Sequence, residues 1–267
     1  MTERVYETIS VAMEGAVQIV TLNRPDRRNA MTSAMQEELI AALEGAAESA
    51  DCGVLIFTGA GEAFCAGLDL EQLKGVVDQC AAEHKADAER VARLLRTLYE
   101  LPVPTIAAVN GAAIAGGTGL ATICDFTLAI PEAKFGYTEV RIGFVPALVS
   151  AFLALQVGDK RARALLLTGR LFTAEEALGW GLVNEVVARE DLLGRSMELA
   201  KLLLGNSLQS MAETKRLLAE QNREWLDGAI EAALRANAEA RETRDFREGI
   251  SAFLEKRKPV WGKRIGR

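Results

Sequence analysis

The sequence predicts an α/β fold, and three observations lead to it. Short β-rich runs alternate with helix-like stretches through the first half of the chain. Several of these runs are apolar at nearly every position, as in strands that are covered on both faces of a sheet. The last part of the chain has helical periodicity, and 267 residues are enough for one large domain with a substantial core.

The strands and the first helix follow in chain order. Residues 17–22 alternate between apolar and polar side chains, as in a half-buried strand. Residues 33–47 then have helical spacing after a capping signal at Thr32. Further strands are predicted for the apolar runs 53–58, 105–109 and 126–130.

The chain reads as helical from about residue 188 onward. Amphipathic stripes predict four helices, over 191–204, 207–221, 225–241 and 246–256. We therefore expect a core formed by 1–190 and a C-terminal helical region formed by 191–267. A helical region after an α/β body is typical of an oligomer surface or a lid.

The composition restricts the classes of function. A net charge of −6 argues against a nucleic-acid surface, because phosphate contacts need clustered Lys and Arg. The first residues lack the features of a signal peptide, and no run of roughly 18 apolar residues predicts a membrane span. The four cysteines have neither disulfide-like nor metal-like spacing, so we expect a reduced, cytoplasmic chain with buried thiols and no metal site.

The single histidine limits the possible mechanisms. His84 lies in the helical stretch AAEHKADAERVARLLRTL, beside charged residues that are typical of a solvated helix face. A Ser–His or Cys–His mechanism would have to use His84. We therefore expect acid–base chemistry to rest on carboxylates.

Two glycine-rich loops share one plan. GVLIFTGAGEAFCAGLDLEQL and PTIAAVNGAAIAGGTGLATIC each contain an apolar strand, a glycine-rich turn and the start of a helix. Such turns expose backbone N–H groups where the helix dipole favours negative charge. Each loop could therefore supply one donor of an oxyanion hole.

Other interpretations of these loops stay open from the residues alone. A dinucleotide-binding loop would need a third glycine where the first loop has Phe64. A P-loop would need a lysine where the second loop has Gly117, and no magnesium carboxylate is evident. The glycines could also serve only to let the chain pack tightly.

Five blocks of the chain resemble the enoyl-CoA hydratase/isomerase family, the crotonases. They are collinear with the family over nearly the whole chain: FTGAGEAFCAGLDL, PTIAAVNGAAIAGGTGLATICDFTLA, AKFGYTEVRIGFVP, LLLTGRLFTAEEALGWGLVNEVV and EGISAFLEKRKPVW. The resemblance implies a crotonase-like spiral of β-β-α turns with two roughly perpendicular sheets. It also implies C-terminal helices that build homotrimers or homohexamers, an acyl-CoA thioester substrate, and no metal or other cofactor.

The resemblance assigns roles to individual residues. The oxyanion donors correspond to the N–H groups of Leu68 and Gly116, in agreement with the interpretation of the two loops. Glu139 corresponds to the second of the two glutamates in the family's hydratases, and its apolar neighbours should raise its pKa. The first glutamate would stand at Gly119, which is a departure from the two-glutamate pattern.

The resemblance also places residues around the coenzyme A part of the substrate. Ala66, Leu68, Asp69, Leu70 and Gly116 would lie along CoA. Arg27 and Arg28 would lie near its phosphates, and Phe253 and Lys256 could reach the CoA of a neighbouring subunit. Asp69 would in addition cap a helix.

Three functions follow from this pattern. The first is hydration of a 2-enoyl-CoA, with a branched acyl chain of the methylglutaconyl type, because that branch also carries glycine at the position of Gly119. The second is Δ3-Δ2-enoyl-CoA isomerisation, which needs only the carboxylate of Glu139. The third is a catalytically weak paralogue that binds CoA or RNA, although the acidic composition disfavours RNA.

Overall fold

Strands in two sheets organise the chain, whose computed structural model describes residues 5–69, 72, 75 and 79–262. In that part, the strands are β1 (Ile9–Glu14), β2 (Val17–Leu22), β3 (Val54–Gly59), β4 (Ala63–Cys65), β5 (Thr105–Val109), β6 (Ala112–Ile114), β7 (Phe126–Ala129), β8 (Lys134–Gly136), β9 (Phe172–Thr173) and β10 (Glu185–Val186).

The helices surround these strands and continue to the C-terminal side of the chain. They are α1 (Ser33–Glu48), α2 (Ala81–Glu100), α3 (Gly116–Ile123), α4 (Ala147–Thr168), α5 (Ala174–Gly179), α6 (Leu192–Leu204), α7 (Leu208–Arg241) and α8 (Arg244–Leu254). Short 3₁₀ helices cover Pro25–Arg27, Glu139–Ile142 and Arg189–Asp191.

The larger sheet holds the long predicted strands. Its order is β1-β2-β3-β5-β7-β10, with β1 antiparallel to β2 and the other neighbours parallel. Every residue of β3 and β5 is buried, as their continuous apolar sequences predict. The first crossover begins where the hydroxyl of Thr32 caps α1 by accepting a hydrogen bond from Met35 N at 3.1 Å.

The smaller sheet is built from very short strands. Its order is β4-β6-β8-β9, in which β4, β6 and β8 are parallel and β9 is antiparallel to β8. β4 and β6 lie inside the two glycine-rich segments, so each of these segments contains a second strand and not only a turn. Two sheets and C-terminal helices are the architecture that the crotonase resemblance implies.

The prediction of separate helices over 207–221 and 225–241 is wrong. α7 is one continuous helix of 34 residues. The residues between the predicted helices include neither glycine nor proline, and the side chain of Asn222 donates to the carbonyl of Leu218 one turn earlier, at 3.0 Å. The polar residues 222–224 therefore interrupt the apolar stripe of the helix but do not end the helix.

The C-terminal helices pack against the α/β body. Leu226, Ile230 and Ala233 of α7 belong to the same buried cluster as the strands of the larger sheet. The division into a core over 1–190 and a helical region over 191–267 stays a prediction. Among the described residues, no helix combines the length and the apolar character needed to cross a bilayer.

The thiols are buried with one exception. Cys52, Cys65 and Cys124 are buried, whereas Cys80 is exposed just before α2. The expectation of buried thiols is therefore wrong for Cys80, whose side chain lies at the N-cap of a helix on the surface.

Candidate active site

Three neighbouring strand ends bring the predicted reactive residues to one edge of the smaller sheet. The parallel strands β4, β6 and β8 pair through Cys65 with Ala113 and through Ile114 with Gly136, so their carboxyl ends meet at the same edge. Leu68 follows the end of β4, Gly116 follows β6 and Glu139 follows β8. Ligands of α/β proteins commonly bind at such carboxyl ends.

A residue with positive φ precedes each predicted oxyanion donor. Gly67 has a φ of +91° before Leu68, and Ala115 has a φ of +52° before Gly116. An alanine in this region is strained by on the order of 1–3 kcal/mol, and such strain concentrates at functional sites. The N–H of Ala115 is held by the carbonyl of Gly136 at 2.7 Å, which fixes the turn that leads into α3.

The two donors form no other hydrogen bonds in the described part of the chain. The carbonyl of Gly67 and the N–H of Asp69 both bond to Met31, so the N–H of Leu68 between them points to the opposite side. Gly116 is the first residue of α3, where N–H groups have no partner inside the helix. Within residues 5–69 and 79–262, neither N–H has a hydrogen-bond partner.

The glycines of the two loops differ in the space around them. A Cβ at Gly117 would lie 2.5 Å from the carbonyl oxygen of Cys65, and a Cβ at Gly67 would lie 3.2 Å from that of Ile114. Both glycines therefore allow the loops to touch, and Gly117 does not replace a lost lysine. At Gly116, by contrast, a Cβ would meet no described atom within 4 Å, so the chain is open beside this donor.

Glu139 has the properties of an acid–base group. It is the first residue of the 3₁₀ helix Glu139–Ile142, and its Oε2 is buried without a hydrogen-bond partner in the described part of the chain. Burial raises the pKa of its carboxyl from 4.5 to about 7, as its apolar neighbours predict. Arg141 is exposed and forms no ion pair with it among the described residues.

Helix α8 covers the segment that carries Glu139. A Cβ at Gly249 would lie 2.2 Å from the carbonyl oxygen of Ile142, so this helix touches the backbone of the segment. The rings of Phe144 and Phe246 pack with their centroids 5.1 Å apart. Phe246 and Ile250 form a small buried cluster, against which pack Leu68, Ile142, Phe144 and Leu254.

The sequence predicts this helix and a region typical of an oligomer surface or a lid, but not that the helix packs on the Glu139 segment. The residues of α8 that pack on the site are apolar and helically spaced, but such a stripe does not say which surface it meets. The cluster brings Leu68 and the Glu139 segment under one helix, so α8 partly covers the edge where the donors and the carboxyl lie.

The position of the absent glutamate is filled. Gly119 is buried in α3, and a Cβ there would lie 2.7 Å from Cγ1 of Val149 in α4. Val149 is itself buried. The departure at Gly119 is therefore accompanied by a branched side chain that takes up the space beside it.

The residues that the resemblance places around CoA differ in their exposure to solvent. Arg27 and Arg28 are exposed, and the carbonyl of Arg28 accepts a hydrogen bond from Ala66 N at 3.0 Å. Asp69 is buried and accepts from Arg24 at 2.8 Å, an ion pair that ties the first loop to the segment after β2. Leu70 lies outside the described residues.

The remaining predicted residues lie at the end of α8. Phe253 is 49% exposed, and Lys256 is exposed with a φ of +55°. Their contact with the CoA of another subunit stays a prediction.

Known proteins resemble this chain over almost its full length. The sequence model of the enoyl-CoA hydratase/isomerase family matches residues 12–264. A Thermus thermophilus protein provisionally named an enoyl-CoA hydratase is 44% identical over 246 residues, which are 92% of this chain and 97% of that protein. The crotonyl-CoA hydratase of Syntrophomonas wolfei is 34% identical over 255 residues, which are 95% of this chain and 97% of its own.

Solved structures agree with the sequence comparisons. The crystal structure of an enoyl-CoA hydratase/isomerase from Xanthobacter autotrophicus matches with a TM-score of 0.87 at 29% identity, covering 94% of this chain and 97% of its own. An enoyl-CoA hydratase from Mycobacterium avium subsp. paratuberculosis matches with a TM-score of 0.85 at 28% identity, covering 97% of this chain and all of its own.

Proposed function

Because the chain belongs to the enoyl-CoA hydratase/isomerase family and is an enzyme of that class, we propose that it adds water across the double bond of a 2-enoyl-CoA thioester. One observation carries the proposal. Two backbone N–H groups without partners among the described residues, and a buried carboxyl with a pKa near 7, lie at adjacent strand ends of one sheet. This combination suits a reaction that places transient negative charge on an oxygen and moves protons near neutral pH.

The N–H groups of Leu68 and Gly116 hold the thioester oxygen. When the oxygen of water bonds to Cβ, the π electrons of the double bond move toward Cα, and the thioester becomes an enolate whose charge rests on this oxygen. Removal of one such donor typically costs about 10²–10³ in rate. Gly116 adds the positive end of the α3 dipole, which acts in the same direction.

Glu139 carries out both proton transfers. Its carboxylate accepts a proton from water while the O–Cβ bond forms, and the resulting acid returns a proton to Cα as the enolate collapses to the thioester. A pKa near 7 lets one group accept and donate with similar ease at neutral pH. One carboxylate must therefore carry out both transfers, because Gly119 has no carboxyl group and Val149 occupies the space beside it.

The binding site for the CoA part of the substrate is proposed from the exposure of the residues and their position in the chain. Arg27 and Arg28 are exposed and the chain at Arg28 bonds to Ala66, so the two arginines can bind the CoA phosphates. By the family resemblance, the arm that follows would run along Ala66, Leu68, Asp69 and Gly116, and Leu70, outside the described residues, is expected there as well. Phe253 and Lys256 would complete the site of a neighbouring subunit in a trimer or hexamer. We propose a methylglutaconyl-like branched acyl chain, a cytoplasmic location, and a reaction that needs no metal or other cofactor.

Isomerisation of 3-enoyl-CoA is the second candidate, and the absence of a carboxylate at Gly119 favours it. One carboxylate can remove a proton from one carbon of the acyl chain and return it to another. Incubation with 2-enoyl-, 3-enoyl- and 3-methylglutaconyl-CoA, with hydration and isomerisation followed together, separates the two. Turnover of 3-enoyl thioesters alone would refute hydration, and binding without turnover would indicate a catalytically weak paralogue.

The variant Glu139→Gln tests the assigned acid–base group. We expect a loss of roughly 10²–10⁴ in kcat with thioester binding retained, because the amide can neither accept nor return the proton. Steady-state kinetics with crotonyl-CoA give the loss, and calorimetric titration with a saturated acyl-CoA gives the binding. A rate equal to that of the wild type would remove Glu139 from the mechanism.

A further inference from the structure

Two charged side chains keep a buried polar atom without a hydrogen-bond partner in the described part of the chain. They are Glu139, through Oε2, and Arg241, through Nη1. Unpartnered buried atoms of charged groups are unfavourable and call for an explanation. The reaction water explains Oε2 of Glu139, whereas the proposed hydration uses nothing that would bind to Nη1 of Arg241.

The surroundings of Arg241 use its other two nitrogens. Its side chain lies at the end of α7 and is 7% exposed. Nε donates to Oδ1 of Asn237 at 2.9 Å, and Nη2 donates to Oδ2 of Asp87 at 2.7 Å. The other oxygen of Asp87 accepts from Arg90 at 3.1 Å. Both carboxylate oxygens of Asp87 therefore bind other nitrogens, and neither forms a hydrogen bond with Nη1.

Phe144 connects Arg241 with the reactive edge. The guanidinium carbon lies 5.5 Å from the centroid of the Phe144 ring. The backbone N–H of Phe144 donates to the carbonyl of Glu139 at 3.0 Å, and its ring packs against the cluster that also contacts Leu68. The guanidinium is thus one aromatic ring away from the segment that carries the acid–base group. Phe144, the ring between the guanidinium and this segment, is itself only partly buried.

We infer that Nη1 of Arg241 binds a carboxylate at the far end of the acyl chain, so that the substrates are enoyl-CoA thioesters of dicarboxylic acids. This inference rests on the proposed function, because it places the acyl chain at the edge formed by Leu68, Gly116 and Glu139. A guanidinium is always charged and presents its N–H groups in a plane that matches a carboxylate.

The proposed subsite explains why Nη1 of Arg241 is buried without a partner, and it predicts selectivity between acyl chains. A distal carboxylate gives Nη1 the acceptor that Asp87 cannot supply. An acyl chain that ends in a methyl group leaves the donor dry and unpartnered, and sites built to bond a polar group discriminate strongly against analogues that lack it.

A purely structural role for Arg241 predicts a different result. The residue also ties α7 to α2 through Asp87, and loss of this tie would affect all substrates alike. The ratio of two rates with matched substrates separates the roles. Glutaconyl-CoA and pent-2-enoyl-CoA are such a pair, because they differ only in a terminal carboxylate in place of a methyl group.

The experiment measures kcat/KM for hydration of both thioesters. We expect the wild type to prefer glutaconyl-CoA by roughly tenfold or more, and Arg241→Gln to lower this ratio by roughly ten- to a hundredfold. Arg90→Gln is the matched control, because Arg90 pairs with the same Asp87 but belongs to α2, and it should keep the wild-type preference. Equal losses with both thioesters, or no preference in the wild type, would overturn the inference.

A binding measurement on the wild type remains decisive if Arg241→Gln does not fold or if neither thioester is hydrated. Calorimetry compares the saturated glutaryl-CoA with pentanoyl-CoA. Tighter binding of glutaryl-CoA supports the carboxylate subsite even where the hydratase proposal fails, and equal affinity of the two refutes the subsite even where hydration is observed.

Discussion

At the scale of single residues, the buried carboxyl of Glu139 links reactivity with stability. Burial favours the neutral acid, so its pKa near 7 exceeds the value of an exposed glutamate. Between the two values the folded chain binds more protons than the unfolded chain. The contribution of this group to stability is therefore fully present at low pH and is lost as the pH rises through about 7.

Glu139→Gln should therefore stabilise the protein at alkaline pH. We expect an increase of roughly 2–3 kcal/mol in the free energy of unfolding at pH ~8, and almost none at pH ~4, because glutamine never has to hold a charge in the apolar site. Urea unfolding of both proteins across this pH range measures the difference. A difference that does not change with pH would show that the carboxyl of Glu139 is not desolvated in the folded protein.

Neighbouring glycines of the second loop should respond differently to the same added methyl group. Gly117→Ala places Cβ against the backbone of Cys65, and we expect a loss of roughly 1–3 kcal/mol in stability. Gly116→Ala meets open space, so its stability should stay the same or rise, while kcat/KM falls because the methyl group stands beside the donor. Urea unfolding and hydration rates test both, and equal destabilisation would contradict the contact with Cys65.

At the scale of elements, α3 and α4 are adapted to each other at the position of the absent glutamate. Gly119→Glu alone should be destabilising, because its Cβ meets Val149 and its carboxylate is buried. Adding Val149→Ala should recover part of the loss, with a favourable coupling of roughly 0.5–3 kcal/mol between the two changes. A double-mutant cycle that includes Val149→Ala alone measures this coupling, and strict additivity would show that the two sites do not touch.

Element length decided which strands could be predicted. β2, β3 and β5 have enough residues for alternation or continuous apolarity to be visible, and they occur where predicted. β4, β6 and β8 have three residues each, which is too few for a period, and their pairing with one another makes them strands. In α7 a long element was wrongly divided, because polar residues in the middle of the helix resembled the boundary between two helices.

Only some features of the candidate site could be predicted from local sequence. Glycine-rich turns before helices predict one exposed N–H group in each loop, and the resemblance assigns these groups to Leu68 and Gly116 and the acid–base role to Glu139; these roles stay predictions. The cover by α8 and the filling of space by Val149 could not be predicted. Both depend on which distant surfaces meet, and a single amphipathic stripe leaves that open.

At the scale of the whole molecule, several large apolar side chains remain exposed in one chain. Leu167 of α4 is 73% exposed, Leu202 of α6 is 68% exposed, and Leu217 and Trp225 of α7 are about half exposed. Where such side chains join into a contiguous patch, they mark a protein–protein contact surface. The helices that carry it belong to, or precede, the region in which the resemblance places the oligomer surface.

The oligomeric state should accordingly be larger than one chain. We expect light scattering during size-exclusion chromatography to give three or six times the chain mass of 28.8 kDa. The midpoint of thermal unfolding should rise with protein concentration, because assembly stabilises only the folded chain. A single species at the mass of one chain, with a midpoint independent of concentration, would contradict the expected trimer or hexamer.

The position of α8 has a consequence for biosynthesis. Translation proceeds from the N-terminus, so Leu68 and the Glu139 segment leave the ribosome before Phe246 and Ile250, which pack on them. Before α8 docks, the Glu139 segment lacks this cover, so its carboxyl is less desolvated and its pKa lies closer to that of an exposed glutamate. The strands can form early, but the surroundings of the carboxyl are complete only when the covering helix has been made and has docked.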